Sequence, residues 1–199
     1  MRHALISEVV IYTDGACEPN PGPGGWGAIL QYQLPDRIHE IEMSGGHLST
    51  TNNRMELTGV IEALKLLKRP CDVTVYSDSK YVVNSIGEWL GGEPRFGNYG
   101  WMVGWKQKGW RRKEGELQNI DLWQEIDELV RIQKSIKMRW IRGHSGHELN
   151  ERCDILAVEA RRLIRNGHMG NRLQPSQPPN ILSENESGAG VREHSQGIQ

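Results

Sequence analysis

Four carboxylates stand where a chain can gather acids for chemistry. Asp14 follows the apolar run Val9-Val10-Ile11-Tyr12, and Asp78 follows Val73-Thr74-Val75-Tyr76. Both runs read as buried strands. Glu56 sits in the first turns of a helical pattern, and Asp154 near the start of another. In an open sheet, groups at the carboxyl ends of parallel strands share one rim. Parallel pairing of the two runs would bring Asp14 and Asp78 together there, and helix starts can deliver Glu56 and Asp154 to the same place. Crowded carboxylates repel and raise each other's pKa, which cations between them relieve. Hard oxygen donors without a His or Cys cluster favour Mg²⁺ or Mn²⁺ over Zn²⁺. Two such ions about 4 Å apart can hold the attacking water and leaving oxygen of a phosphodiester.

Each acid alone has a plainer reading. Asp14 before Gly15 suits a turn. Glu56 three residues after Asn53 resembles a capping pair. Asp78 can accept hydrogen bonds in a loop, and Asp154 can favour its helix through the macrodipole. Spacing settles none of these singly. Glu56, however, shares a helix side with Val60 and Ala63, an odd place for a solvating glutamate.

The elements that must position these groups follow from patterning. After the first strand comes Pro19-Asn20-Pro21-Gly22-Pro23-Gly24-Gly25, a turn region by composition. Trp26–Tyr32 and Ile38–Met43 read as an antiparallel hairpin linked by Leu34-Pro35-Asp36-Arg37. Leu57, Val60, Ile61, Leu64 and Leu67 recur at helical spacing until Pro70. A helix is expected from Lys80 to about Leu90, a Gly-rich loop over 91–104, and helices over 121–131 and 150–165. Ile136–Ile141 is expected as a strand. A hairpin followed by alternating strands and helices implies an α/β fold, a mixed sheet with helices on its faces.

The 199 residues suit one domain, expected over about 1–166. Residues 167–199 hold three prolines and no aromatic, too little apolar surface to repay ordering, and read as a disordered tail. Lys and Arg number 24 against 25 Asp and Glu, which excludes a uniformly basic coat protein but not a local basic face. That face is visible: between Gly104 and Lys113 there are five cations and no acid, interleaved with Trp105 and Trp110. Three cysteines without metal spacing fit a reducing compartment. No signal peptide or membrane span is apparent, so a cytoplasmic monomer without an obligate protein partner or membrane is expected.

The motifs carry a resemblance. Ile-Tyr-Thr-Asp14-Gly-Ala-Cys-Glu-Pro-Asn20, Thr-Thr-Asn52-Asn53-Arg-Met-Glu56-Leu, Tyr-Ser-Asp78-Ser, and Arg-Gly-His144-Ser-Gly-His147 with Asn150-Glu-Arg-Cys-Asp154 resemble, in order, the motifs of the bacterial type 1 ribonuclease H family. The resemblance spans about residues 8–162. It implies a ribonuclease H-like fold with a five-stranded mixed sheet, the first three strands antiparallel and helices on both faces. It implies endonucleolytic hydrolysis of the RNA strand of RNA–DNA hybrids, leaving 3′-hydroxyl and 5′-phosphate ends. Asp14, Glu56, Asp78 and Asp154 match the metal-binding acids, two Mg²⁺ ions being implied with Mn²⁺ able to substitute. Asp14 is expected to bridge both ions, Glu56 and Asp78 to hold the one nearer the leaving group, and Asp154 the one that activates water. His144 matches a residue that assists proton transfer or product departure, while His147 is expected to anchor its loop.

For the hybrid, Gly15, Cys17, Asn20 and Asn52 match positions that line the minor groove, where the 2′-hydroxyl marks the RNA strand. Asn20 and Thr51 resemble a pocket for a DNA-strand phosphate. Asn150 is expected either in the cleft or as a helix cap. Residues 89–117 resemble the family's basic protrusion, with Trp105, Lys106, Lys108 and Trp110 as contacts. Two departures stand out: Lys80 replaces a common glutamine, and the stretch between Trp89 and Trp105 is about a dozen residues longer than in the well-known bacterial form. The competing readings are a silent hybrid-binding module and a DNA-directed nuclease on a related fold.

Overall fold

The structure is a computed structural model that describes residues 8–33 and 37–167. The expected tail from residue 168 onward and the link Leu34-Pro35-Asp36 lie outside the described residues. Seven strands form one mixed sheet: β1 (Glu8–Cys17), β2 (Gly22–Gln33), β3 (Ile38–Thr50), β4 (Asp72–Ser77), β5 (Gly87–Leu90), β6 (Glu93–Tyr99) and β7 (Ser135–Trp140). Their spatial order is β3-β2-β1-β4-β7-β5-β6. As expected, the first three strands are antiparallel, and β1 is parallel to β4. Helices α1 (Asn52–Lys65), α2 (Lys80–Ile86), α3 (Trp101–Gln107), α4 (Ile120–Arg131) and α5 (Glu148–Arg165) complete the fold.

The sheet has seven strands where five are expected, and the difference lies in the long stretch after α2. Gly87, with φ of 68°, ends that helix at Ile86 instead of letting it run to Leu90. A side chain there would be strained in a positive-φ backbone. Residues 87–90 then pair antiparallel with β7, and β6 returns along them. Much of the expected 91–104 loop is therefore strand β6 and the start of α3.

Strand alternation divides the core between the two sheet faces. Val9 and Ile11 of β1, with Trp26, Ala28 and Leu30 of β2, join the large cluster built on Leu57, Val60, Ile61 and Leu64 of α1. Tyr12 and Ile29 point the other way, towards Cys153 and Leu156 of α5. In α4 the buried set includes Trp123, Ile126 and Val130. Trp123 is fully buried, and its indole N–H donates to the Tyr81 hydroxyl (3.1 Å).

α1 is capped by Thr51, whose hydroxyl accepts from the Arg54 amide (3.3 Å). The expected Asn53–Glu56 capping pair does not form, because the helix starts two residues earlier and leaves Glu56 to be buried. α5 is capped by His147 without a side-chain bond. Asn150 lies inside that helix, so it is not its cap.

Candidate active site

Asp14 and Asp78 meet because their strands are parallel and level. Tyr12 pairs with Tyr76 in register, and each acid lies two residues further along. Gly15 has no Cβ, and one would press on the Glu56 amide at 2.5 Å. This close approach seats the start of α1 against β1 and carries Glu56 to the sheet rim. Carboxylate oxygens of Asp14, Glu56 and Asp78 all lie within 4.8 Å of one another. Asp154, in the second turn of α5, stands outside that trio, yet its charge still reaches both Asp14 and Glu56.

The cluster is electrostatically tense. Burial, then repulsion by Asp78, pushes the Asp14 carboxyl up to about 7, although the Gly15 amide donates to it at 2.7 Å. Burial, then Asp14 and Asp78, holds Glu56 well above the usual carboxylate range. Glu56 is 5% exposed; its Oε1 accepts from Asn52 (3.4 Å), whereas Oε2 is buried with no partner among the described residues. An all-oxygen cluster with repelling charges and an orphaned buried carboxylate oxygen fits a hard divalent cation.

The neighbouring loop closes on Asp78. A Cβ on Gly143 would lie 2.4 Å from its carboxylate oxygen, so a larger residue there would push the Asp78 side chain aside. The Trp140 indole N–H donates to the Asp78 carbonyl (2.9 Å), and the Lys80 ammonium lies 5.0 Å from that ring. Sequence reasoning missed Trp140 and Gly143. The Gly-flanked His144 was a signal for Gly143; nothing in the spacing pointed from Trp140 to Asp78, 62 positions away. His144 is exposed, with φ of 49°. His147 packs against Tyr12 (ring centroids 5.3 Å) and Tyr76 (6.3 Å), which suits an anchor for the loop.

The other expected contacts fall in two places. Near the β1 end, Asn20 accepts from the Asn52 amide (3.2 Å), beside the Thr51 cap. The Cys17 thiol faces the Pro19, Gly22 and Thr50 carbonyls at 3.3–3.5 Å, bracing the turn. Asn150 is 2% exposed, with its Oδ1 unpartnered among the described residues. Away from the trio, Trp105 stacks at a tilt on buried Trp123 (5.4 Å). Lys106 is ion-paired with buried Asp127, which also accepts from Arg131, so its charge is committed within the fold. Lys108, Arg111, Arg112 and Lys113 are exposed, and Trp110 is half-buried against the core.

A mixed sheet in this order, with carboxylates at the ends of its two central parallel strands, defines the ribonuclease H-like class. The RNase H family model matches residues 7–162. Ribonuclease H of Hahella chejuensis is 52% identical over 153 residues, 76% of this chain and 92% of its own length. That of Cupriavidus pinatubonensis is 51% identical over 153 residues, 76% of this chain and 94% of its own. Among solved structures, LC9-RNase H1, a type 1 RNase H with the type 2 active-site motif, aligns with a TM-score of 0.66 and 33% identity, covering 82% of this chain and 74% of that one. LC11-RNase H1 in complex with RNA/DNA hybrid shares the fold at a TM-score of 0.53 and 24% identity, covering 78% of this chain and 98% of that one. The chain belongs to the RNase H family. No helix among the described residues is long and apolar enough to cross a membrane.

Proposed function

We propose that this protein is a ribonuclease H that hydrolyses the RNA strand of RNA–DNA hybrids endonucleolytically, leaving 3′-hydroxyl and 5′-phosphate ends. The observation that carries the reading is the buried trio of Asp14, Glu56 and Asp78 at the sheet rim, with Asp154 within electrostatic reach. These four residues would hold divalent cations, two Mg²⁺ by the family pattern, Mn²⁺ being the natural substitute. Bound there, the cations supply charge neutralisation at the phosphodiester and a more acidic water. The protein's part is to hold the carboxylates at fixed positions and to keep competing cationic side chains out of the cluster.

The Glu56 carboxylate would also accept from a 2′-hydroxyl, which is what separates RNA from DNA in the minor groove. Asn20 and Asn52 lie beside it on one turn and one helix start, where they read duplex shape rather than bases. His144, exposed on the loop that passes Asp78 at Gly143, would assist proton transfer or product departure. The exposed cations of 108–113 grip the DNA-strand backbone. Three free thiols suit a reducing, cytoplasmic setting, and a monomer is proposed.

The test compares a labelled RNA–DNA hybrid, duplex DNA and duplex RNA with Mg²⁺. Cleavage of the hybrid's RNA strand alone is expected; predominant cleavage of duplex DNA would overturn the reading. His144→Ala is expected to lower kcat about a hundredfold, the low end of general acid–base catalysis. Hybrid KM should change little, since no bond of His144 among the described residues orders the site. A KM rise with unchanged kcat would instead make it a binding residue.

A further inference from the structure

The insertion after α2 builds a surface that the carboxylate site does not use. α5 packs on β1, β2 and β3, and its face of the sheet continues past it over β7, β5 and β6. There Lys137 and Arg139 of β7 are exposed. Glu88 of β5 stands opposite Lys137 in register, 8% exposed, and accepts from Arg139 (2.7 Å) and from Arg95 of β6 (2.9 Å). One carboxylate thus orders two guanidinium groups beside the Lys137 ammonium. The register of β5 and β6 breaks between Gly87 and Trp89, and Gly97 has φ of 86°. Across that bulge Phe96 stands 95% exposed, and Tyr99 beyond it is 55% exposed.

The strand that carries Lys137 and Arg139 ends beside the site. Arg139 is followed by Trp140, whose N–H holds the Asp78 carbonyl. From β4, which ends beside Asp78, to β6 is three strand spacings, roughly 14 Å. Exposed cations on this face, with Phe96 exposed on the edge strand that bounds it, match an unpaired polynucleotide, whose phosphates and base faces they meet together. A duplex offers such a surface no free base faces.

Resting on the nuclease reading, we infer that this sheet face and the β5–β6 hairpin bind a single-stranded extension of the hybrid as it leaves the carboxylate site. The test measures Kd by fluorescence anisotropy in the Asp14→Asn background with Mg²⁺. Its probes are a short blunt hybrid and the same hybrid carrying an unpaired DNA extension of about ten nucleotides, within single-strand site sizes, at either end in turn. The extension is expected to tighten Kd about five- to tenfold at one end, with a steeper salt dependence. Lys137→Glu and Phe96→Ala, both exposed, should remove that gain while leaving the melting temperature, blunt-hybrid Kd and, in the Asp14 protein, blunt-hybrid cleavage unchanged. No gain from either extension, or a gain that survives both substitutions, overturns the inference. Loss of blunt-hybrid binding in these variants does so too, by assigning the face to duplex grip. Failure of the unaltered protein to cut the blunt hybrid would instead strike the nuclease reading.

Discussion

Asp14→Asn is expected to abolish hybrid cleavage and at the same time to raise the melting temperature of the metal-free protein at pH 8 by about 5 °C or more. The two effects have one cause. The Asp14 carboxyl is pushed from its ordinary 3.8 to about 7 by burial and by Asp78. A carboxyl that holds its proton more tightly when folded costs stability once it ionises. The loss begins as pH rises above the unfolded value near 4 and is complete above about 7. The ceiling is about 4 kcal/mol, and on the order of 2 kcal/mol remains after the cost of seating Asn. For a chain of this size each 1 kcal/mol moves the melting temperature by about 2–4 °C. Thermal melts in chelator at pH 5 and pH 8 check the sign: the variant's advantage should be large at pH 8 and shrink at pH 5. Adding Mg²⁺ should stabilise the unaltered protein more than the variant, since only the former keeps its full ligand set. A variant less stable at both pH values would show that the cluster is not strained.

The second large effect is expected at a residue that carries no side chain. Gly27 pairs with Asp14 across β1 and β2. A Cβ there would collide with the Cys153 carbonyl and lie 2.7 Å from the Leu156 Cβ, so α5 rests on β2 through this missing side chain. Gly27→Ala must lift a helix backbone, which costs about 1–3 kcal/mol. Cys153 immediately precedes Asp154, so the same displacement moves the fourth carboxylate. Lowered stability and a fall in kcat of about tenfold or more are expected together. Gly59→Ala is the control. It lies inside α1, where a Cβ meets nothing closer than 3.5 Å. Replacing a helical glycine with alanine gains about 0.5–1 kcal/mol, so the same change should stabilise. Equal behaviour of the two variants would refute the contact argument.

Much of the fold and the acid set is legible in the sequence because it rests on local signals. The runs at 9–12 and 73–76 are continuous apolar stretches that end at acids, and the helix from 52 follows its spacing. The hairpin at 87–99 is not legible, since Glu88-Trp89-Leu90 suits a helix as well as a strand. Only Gly87's backbone and pairing with β7, nearly fifty residues later, decide between them. Lys106 reads as a free cation until α4 brings Asp127 beneath it. The offset of Asp154 from the trio depends on how closely α5 sits on Gly25 and Gly27, a packing matter with no local pattern. Thr51 rather than Asn53 starts α1 because its hydroxyl reaches the Arg54 amide, a choice that motif spacing leaves open.

An insertion that extends a sheet creates a new outer edge, and an exposed edge invites other chains to pair with it. β6 is that edge. Pro94 lacks an N–H to offer, the break opposite Glu88 interrupts the regular ladder, and Arg95 adds charge. Each of these discourages a neighbouring strand from docking. The sheet has thus grown outward without acquiring a seed for intermolecular β-pairing, even with Phe96 exposed on that edge.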